Sequence, residues 1–346
     1  MKLNLIKKFT SIALITAMLL TGCAQGTAKT TEPEKQTGEQ PATEEPKEVK
    51  ETFKIGISQL VEHPALDASK QGFIDEMKNQ GINVDFLEQS AQGDIANAQM
   101  IAEKFVKDDV DLIFTIATLS AQAAKQAVAG TDIPMVFTAV TDPVFSQLVT
   151  DLNVTDSNIT GVVDAAPIKE NLELFRELKE DIKTIGIIYN VGESNSEVQV
   201  EQAKEIANEL GLEIETVGIA SVNDIPQAVD TISKKVEGLY IITDNMVASA
   251  MSLVANLAVE KNLLTVSADG SHVAEGILVS KGISYYEIGK QSAVIAKQIL
   301  VDKKSVADIS VQASENLEKK VNVKTMEALG LSKDNKAFEG AEFLEQ

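Results

Sequence analysis

Residues 53–60 (Phe-Lys-Ile-Gly-Ile-Ser-Gln-Leu) form a short, mostly apolar run that reads as a strand. Pro64 then suits a first helical turn, where a missing N–H costs nothing. Leu66, Phe73, Ile74 and Met77 fall on one helical face before Gly81 stops it. The same unit recurs. A strand over 84–87 is followed by Asp94 as the cap of a helix carrying Ile95, Ala98, Ala102 and Phe105, and strands over 112–116 and 134–137 continue the alternation. A second series begins at 184–189. It continues with helices near 195–210 and 246–261 and strands at 213–217, 239–242 and 264–266.

Strands alternating with helices of this length predict parallel sheets covered on both faces. Two series predict two Rossmann-like α/β lobes, with a crossing near 161–167. A last helix near 287–300 has a strongly periodic Ile/Ala face, and we expect it to return to the first lobe, making a hinge of several strands. The expected division is 53–164 plus 285–308 for lobe 1, 165–284 plus 309–331 for lobe 2, and 332–346 as a C-terminal tail.

The N-terminus carries a different pattern. Lys2, Lys7 and Lys8 precede an uncharged, mostly apolar run over 9–20, too short to span a ~30 Å hydrocarbon core but proportioned like a signal-peptide core. It ends in Leu20-Thr21-Gly22-Cys23, which resembles the bacterial lipobox. That resemblance implies a lipoprotein signal peptide over 1–22, cleavage before Cys23, and diacylglycerol on its sulfur. Cys23 is the single cysteine, so no internal disulfide can form. Residues 24–48 contain no Leu, Ile, Val or Phe and repeat Thr, Glu, Pro, Lys and Gln. Such composition cannot offset ordering entropy, so 23–52 reads as a lipidated cysteine and disordered tether with a coil span on the order of 30 Å. The expected location is the outer face of the cell membrane, held there by the lipid alone.

With Lys+Arg 31 against Asp+Glu 52, the formal net charge is −21, and the leader would remove three lysines and no acid. That disfavours nucleic acid and anionic bilayers as partners. In open parallel sheets, ligands bind beyond the carboxyl ends of the strands. Those positions supply Gln59, Glu62 and His63, then Thr118 and Ser120, then Thr138, Thr141 and Asp142. In the second lobe they supply Asn190, Glu193, Ser194, Asn195 and Ser196, then Thr243, Asp244 and Asn245, then Asp269. A cleft so lined suits a small zwitterionic or polyhydroxylated ligand. Helix starts at Ser120 and Asn195 offer free N–H groups to a carboxylate, and Asp142, Asp244 or Asp269 offers a partner to an ammonium. Each residue also has a structural role open to it: Asp244-Asn245 and Ser194-Asn195 as helix caps, Thr141-Asp142-Pro143 as a turn. His63 is equally suited to the cleft and to helix entry, and His272 reads as a surface or structural residue.

Several of these segments resemble one receptor family. They are Gly56-Ile-Ser-Gln-Leu-Val-Glu-His-Pro-Ala-Leu-Asp67, Ala91-Gln-Gly-Asp94, Ala117-Thr-Leu-Ser-Ala-Gln-Ala-Ala124 and Val136-Phe-Thr-Ala-Val-Thr-Asp-Pro143. With them go Ile188-Tyr189-Asn190, Glu193-Ser-Asn-Ser196, Thr243-Asp-Asn245 and Gly282-Ile-Ser-Tyr-Tyr-Glu-Ile-Gly289. Together, over about 53–331, they resemble the substrate-binding lipoproteins of ABC transporters, including the tryptophan-binding branch. The resemblance implies a type I periplasmic-binding-protein fold and an aromatic amino acid as ligand: tryptophan, phenylalanine or tyrosine. It also implies a monomer that works with a separate permease and ATPase and needs no cofactor or metal, and it adds Tyr189 to the candidate site. Phe145-Ser146 departs from the smaller residues expected after Thr-Asp-Pro-Val, which bears on ligand choice.

An enzyme would need other motifs. The chain has no Gly-x4-Gly-Lys-Ser/Thr loop, no His-Glu-x2-His, no paired-cysteine metal motif and no Gly-x-Ser-x-Gly elbow. A sugar-repressor-like regulator shares the two-lobed fold but needs a DNA-binding helix pair where this chain has its leader and tether. A receptor subunit for a membrane signalling protein, or import of another small polar solute, remains the alternative.

Overall fold

The computed structural model describes residues 51–153, 158–314 and 317–345. The residues expected to form a signal peptide, Cys23 and the expected tether up to residue 50 lie outside the described residues.

The first sheet has the order β11-β5-β4-β3-β1-β2. Its strands are β1 (Thr52–Gln59), β2 (Asn83–Ser90), β3 (Leu112–Ile116), β4 (Met135–Val140), β5 (Ile159–Val163) and β11 (Gln312–Ala313). All its pairings are parallel, and helices cover both faces. Helices α1 (Pro64–Asn79) and α9 (Tyr285–Leu300) bury Phe73, Met77, Ile288 and Ile295 against Ile55, Ile57, Leu112, Phe114 and Ile116. On the other face α2 (Ile95–Lys107) and α3 (Thr118–Val128) bury Phe105 and Ala124 against Ile113, Met135 and Phe137. Consecutive residues of β3 thus enter opposite cores, which is why the run is apolar throughout instead of alternating. Asp94 caps α2 by accepting from Asn97 N at 2.8 Å. α1 and α9 cross in close contact at Gly72 and Gly289.

The second sheet, ordered β13-β12-β10-β9-β8-β6-β7, contains β6 (Thr184–Asn190), β7 (Glu213–Ile219), β8 (Gly238–Ile241) and β9 (Leu264–Asp269). It is completed by β10 (Val279–Ile283), β12 (Leu317–Asn322) and β13 (Glu342–Leu344). Here α4 (Ile168–Leu178), α5 (Ser194–Glu209) and α10 (Val323–Ala328) cover one face, burying Phe175, Ala203 and Met326 with Tyr240. On the opposite face α6 (Ile225–Ile232), α7 (Asn245–Ala248) and α8 (Met251–Glu260) pack Val229, Val247 and Val254 against Leu239 and Ile241. The continuous helix expected over 246–261 is broken. Ser249 Oγ donates to Met246 O at 2.7 Å, and Ala250 (φ −126°, ψ 27°) leaves helical geometry before α8 begins.

The chain passes between the sheets three times: after Val163, after Ile283, and between Ala313 and Leu317. Gln312 and Ala313 pair with Val162 and Val163, so the first lobe reaches past 308. Glu342–Leu344 is an edge strand beside β12 and not part of a tail. β12 runs antiparallel to β10 because it enters from the other lobe, without the crossover helix that a parallel neighbour needs. Residues 49–346 form one compact unit. Among the described residues, no helix is long and apolar enough to cross a membrane.

Candidate functional site

The carboxyl ends of both sheets meet across a narrow cavity. Contacts from lobe to lobe close over it. His63 Nε2 lies 3.4 Å from Asn245 Oδ1, and the Thr141 and Thr243 hydroxyls are 3.2 Å apart. The first lobe contributes His63 and Leu66 from the entry of α1, Ala139 and Thr141 from the end of β4, and Asp164 just beyond β5. The second contributes Asn195, Thr243, Asp244, Asn245 and Ala248, then Asp269 and His272; Tyr285 opens α9 at the second crossing.

Backbone strain collects at the ends of the two central strands. Ala117 (φ 83°) precedes α3 and Ala139 (φ 54°) ends β4, where the register with β5 shifts. Neither residue is glycine, so both conformations carry a cost of the kind found at ligand sites. Ala117 has no side chain with which to cap α3, and the buried hydroxyls of Thr118 and Ser120 in its first turn have no hydrogen-bond partner. β3 lies between β1 and β4, so this helix start is next to the two first-lobe elements that line the cavity, but neither Thr118 nor Ser120 is part of its wall.

In the second lobe most polar groups satisfy one another. Glu193 Oε2 accepts from Asn195 Nδ2 (3.2 Å), Asn245 N (3.1 Å) and Asn245 Nδ2 (2.6 Å), while Oε1 accepts from Asn190 Nδ2 (3.0 Å) and Met246 N (3.2 Å). Asp244 accepts from Val247 N (2.8 Å), Asn190 N (2.6 Å) and Ser196 Oγ (2.7 Å). Burial and then the Glu193 charge push the Asp244 carboxyl up to about 7, with those donors opposing the shift. Asn195 keeps a free Oδ1 in the cavity wall.

Asp269 accepts from Ser271 N (2.8 Å) and Ser271 Oγ (2.7 Å). Asp269 N donates to Ser267 Oγ, which lies 2.9 Å from His272 Nδ1. His272 Nε2 lies 3.3 Å from Asp269 Oδ2 and makes no hydrogen bond. His272 is 2 % exposed and lines the cavity, so of the two expected roles, surface or structural, the surface one does not hold; its position in the tight turn Gly270–Val273 folds it back under β9. Burial lowers the pKa of both His63 and His272, so both are neutral at pH 7.

The remaining candidates lie away from the cavity wall. Gln59 Nε2 bonds Val61 O and Asp67 Oδ1, both at 2.8 Å, and Glu62 is exposed. Thr138 faces Ser69 under α1, Tyr189 packs into the core, and Ser194 and Ser196 sit behind Asn195. Asp142 caps its own turn, accepting from Val144 N (3.0 Å) and Phe145 N (2.9 Å), so it does not serve as an ammonium partner in the cavity. Phe145 is exposed and outside the wall. Conversely, Asp164, Tyr285 and His272 line the cavity without being among the strand-end candidates, while Thr243, the strand-end residue before Asp244, lines it.

The pattern of the ABC transporter substrate binding protein family matches residues 54–342. The chain belongs to that family. It is 38 % identical over 322 residues to the tyrosine-binding protein of Clostridioides difficile (strain R20291), covering 91 % of this chain and 89 % of that one. The ABC domain from Streptococcus pneumoniae in complex with L-Trp superposes with a TM-score of 0.79 at 30 % identity, over 84 % of this chain and 99 % of that one. The ligand-free, open structure of a substrate binding protein with adhesive properties from Clostridium difficile gives 0.66 at 39 % identity, with the same coverage of both chains. The family structures share the type I periplasmic-binding-protein architecture of two parallel-sheet lobes.

Proposed function

We propose that this substrate-binding protein captures an aromatic amino acid between its lobes and hands it to a permease, while a lipid on Cys23 holds it at the outer membrane face. One observation carries the ligand class: the cavity wall has three carboxylates, Asp164, Asp244 and Asp269, and neither lysine nor arginine. Burial raises the Asp164 and Asp244 carboxyls toward their protonated forms, and a ligand that brings a cation offsets the cost of ionising them there. The start of α3, uncapped and carrying two unpartnered hydroxyls, is the matching place for a ligand carboxylate. The start of α5 suits it less, because the Glu193 carboxylate lies beside Asn195. Leu66, Ala139 and Ala248 supply apolar wall for a side chain.

The relatives support the aromatic reading, one named for tyrosine and one bound to L-Trp. The protein resembles the Trp-bound relative in shape more than the open one, although its sequence is closer to the latter, which fits lobes drawn together as around a ligand. Leu20-Thr21-Gly22-Cys23 supports the anchor. The test is a thermal-shift screen of the purified protein against the amino acids, with scattering on each binder. An aromatic amino acid at a hundred times its Kd adds about 2.7 kcal/mol to stability and shrinks the radius of gyration. If no aromatic amino acid raises the melting temperature, the ligand assignment is wrong.

A further inference from the structure

The three cavity carboxylates are not equivalent. Asp244 and Asp269 have both oxygens engaged by donors of their own lobe. Asp164 differs. Its Oδ2 accepts from the Tyr285 hydroxyl at 2.6 Å, and its Oδ1, fully buried in the cavity wall, has no hydrogen-bond partner. The Thr141 hydroxyl lies near enough to favour the ionised Asp164 carboxyl without bonding Oδ1, and is 3.2 Å from the Thr243 hydroxyl across the cleft.

We propose that Asp164 is the seat of the ligand's ammonium group, and that Tyr285 is the positioning residue that aims its free oxygen into the cleft. This rests on the reading of the ligand as an amino acid. The placement of the pair gives it a second consequence. Asp164 follows β5 at the first crossing between lobes, and Tyr285 follows β10 at the second. Their hydrogen bond therefore ties two hinge segments together at the floor of the cavity. An ammonium on Oδ1 neutralises the one uncompensated oxygen at the point about which the lobes turn. Occupancy and hinge geometry are thus read by the same carboxylate. Burial first, and Asp269 after it, raises the Asp164 carboxyl, so a cation on Oδ1 is what favours its ionised form; His63 and His272 are neutral, and no lysine or arginine in the wall competes with the ligand's cation.

The experiment compares two probes by calorimetry on the full protein: L-tyrosine, and 3-(4-hydroxyphenyl)propanoic acid, which lacks only the ammonium. The parent should bind tyrosine at least tenfold more tightly than the analogue. Asp164→Asn should weaken tyrosine by ~30-fold or more, the usual loss for one side of a buried charged pair, and leave the analogue unchanged or improved. Tyr285→Phe should lower tyrosine affinity several-fold and again spare the analogue. A purely structural role for either residue lowers both probes alike, and that result overturns the assignment, as does tyrosine affinity within twofold of the parent in Asp164→Asn. Should Asp164→Asn fail to fold by circular dichroism, Tyr285→Phe decides by the same ratio. A parent protein that binds neither probe overturns the amino-acid reading and this seat with it. A parent that binds tyrosine while both variants do the same overturns the seat alone.

Discussion

Substituting alanine for Gly289 should cost ~2 kcal/mol of stability, although alanine is the better helix former. A Cβ at Gly289 would stand 2.0 Å from Ser69 O and 2.8 Å from Ser69 C, and one at Gly72 would stand 2.1 Å from Tyr286 O. The obstacles are main-chain atoms, so no rotamer change relieves them. α9 must instead move off α1 by more than an ångström to reach ordinary contact distance. Overpacking of this kind costs roughly 1–3 kcal/mol, and a backbone obstacle belongs at the upper end. Helix propensity returns ~1 kcal/mol. Urea unfolding of parent and variant reads the difference. Gly72→Ala forces the same two helices apart, so the double variant should lose less than the sum of the singles. Because Tyr285 begins α9, the displacement also moves its hydroxyl relative to Asp164. A Gly289→Ala protein as stable as the parent, or strictly additive losses in the double variant, would refute the close crossing.

Ser120→Ala should raise the melting temperature of ligand-free protein, because it removes an unpartnered buried hydroxyl, yet weaken ligand several-fold; weaker stability with unchanged affinity would contradict a carboxylate seat at α3. For Asp244, raised to about 7 from an ordinary value near 3.8, the folded state keeps a proton that the unfolded chain has released. Its contribution to stability therefore falls as pH rises between about 4 and 7, and Asp244→Asn should reduce that slope in melts across this range; an unchanged slope counts against the shift. Cys23→Ser should abolish incorporation of labelled palmitate and release the protein from membranes, and label still entering the variant would rule out the lipobox.

The two lobes were legible because sheets covered on both faces require unbroken apolar strands, as at Leu112–Ile116, and helices with one apolar face. The division between lobes was less so. Gln312–Ala313 and Glu342–Leu344 are strands of two and three residues, set by pairing with distant partners, and such short segments carry no periodicity. Reading strand ends brought out His63, Thr141, Asn195, Asp244, Asn245 and Asp269, all in the cavity wall. It missed Asp164 and Tyr285 because they lie where the chain changes lobe. Asp164 is the last residue of the first stretch of lobe 1, and Tyr285 precedes the helix that the Ile/Ala periodicity marks near 287–300.

What separates cap from ligand partner among these residues is the hydrogen-bonding capacity left after the fold has used its share. Residue type and position are the same for Asp94, Asp142, Asp244 and Asp269: an aspartate at the carboxyl end of a strand or the start of a turn. Each is engaged by N–H or O–H groups within a few residues, with Asp244 also accepting from Asn190 and Ser196. Local donors engage both oxygens of the buried Asp244 and Asp269 and one oxygen of Asp94 and Asp142, which are open to water as well, and a helix or turn start supplies them. Asp164 has no helix turning up directly after it; its donor comes from Tyr285, 121 residues away, and only one oxygen is reached. Unused capacity arises where two distant segments meet and neither supplies a full set of partners. In a two-lobed receptor those places are the crossings, and the ligand completes there what the chain leaves unpaired.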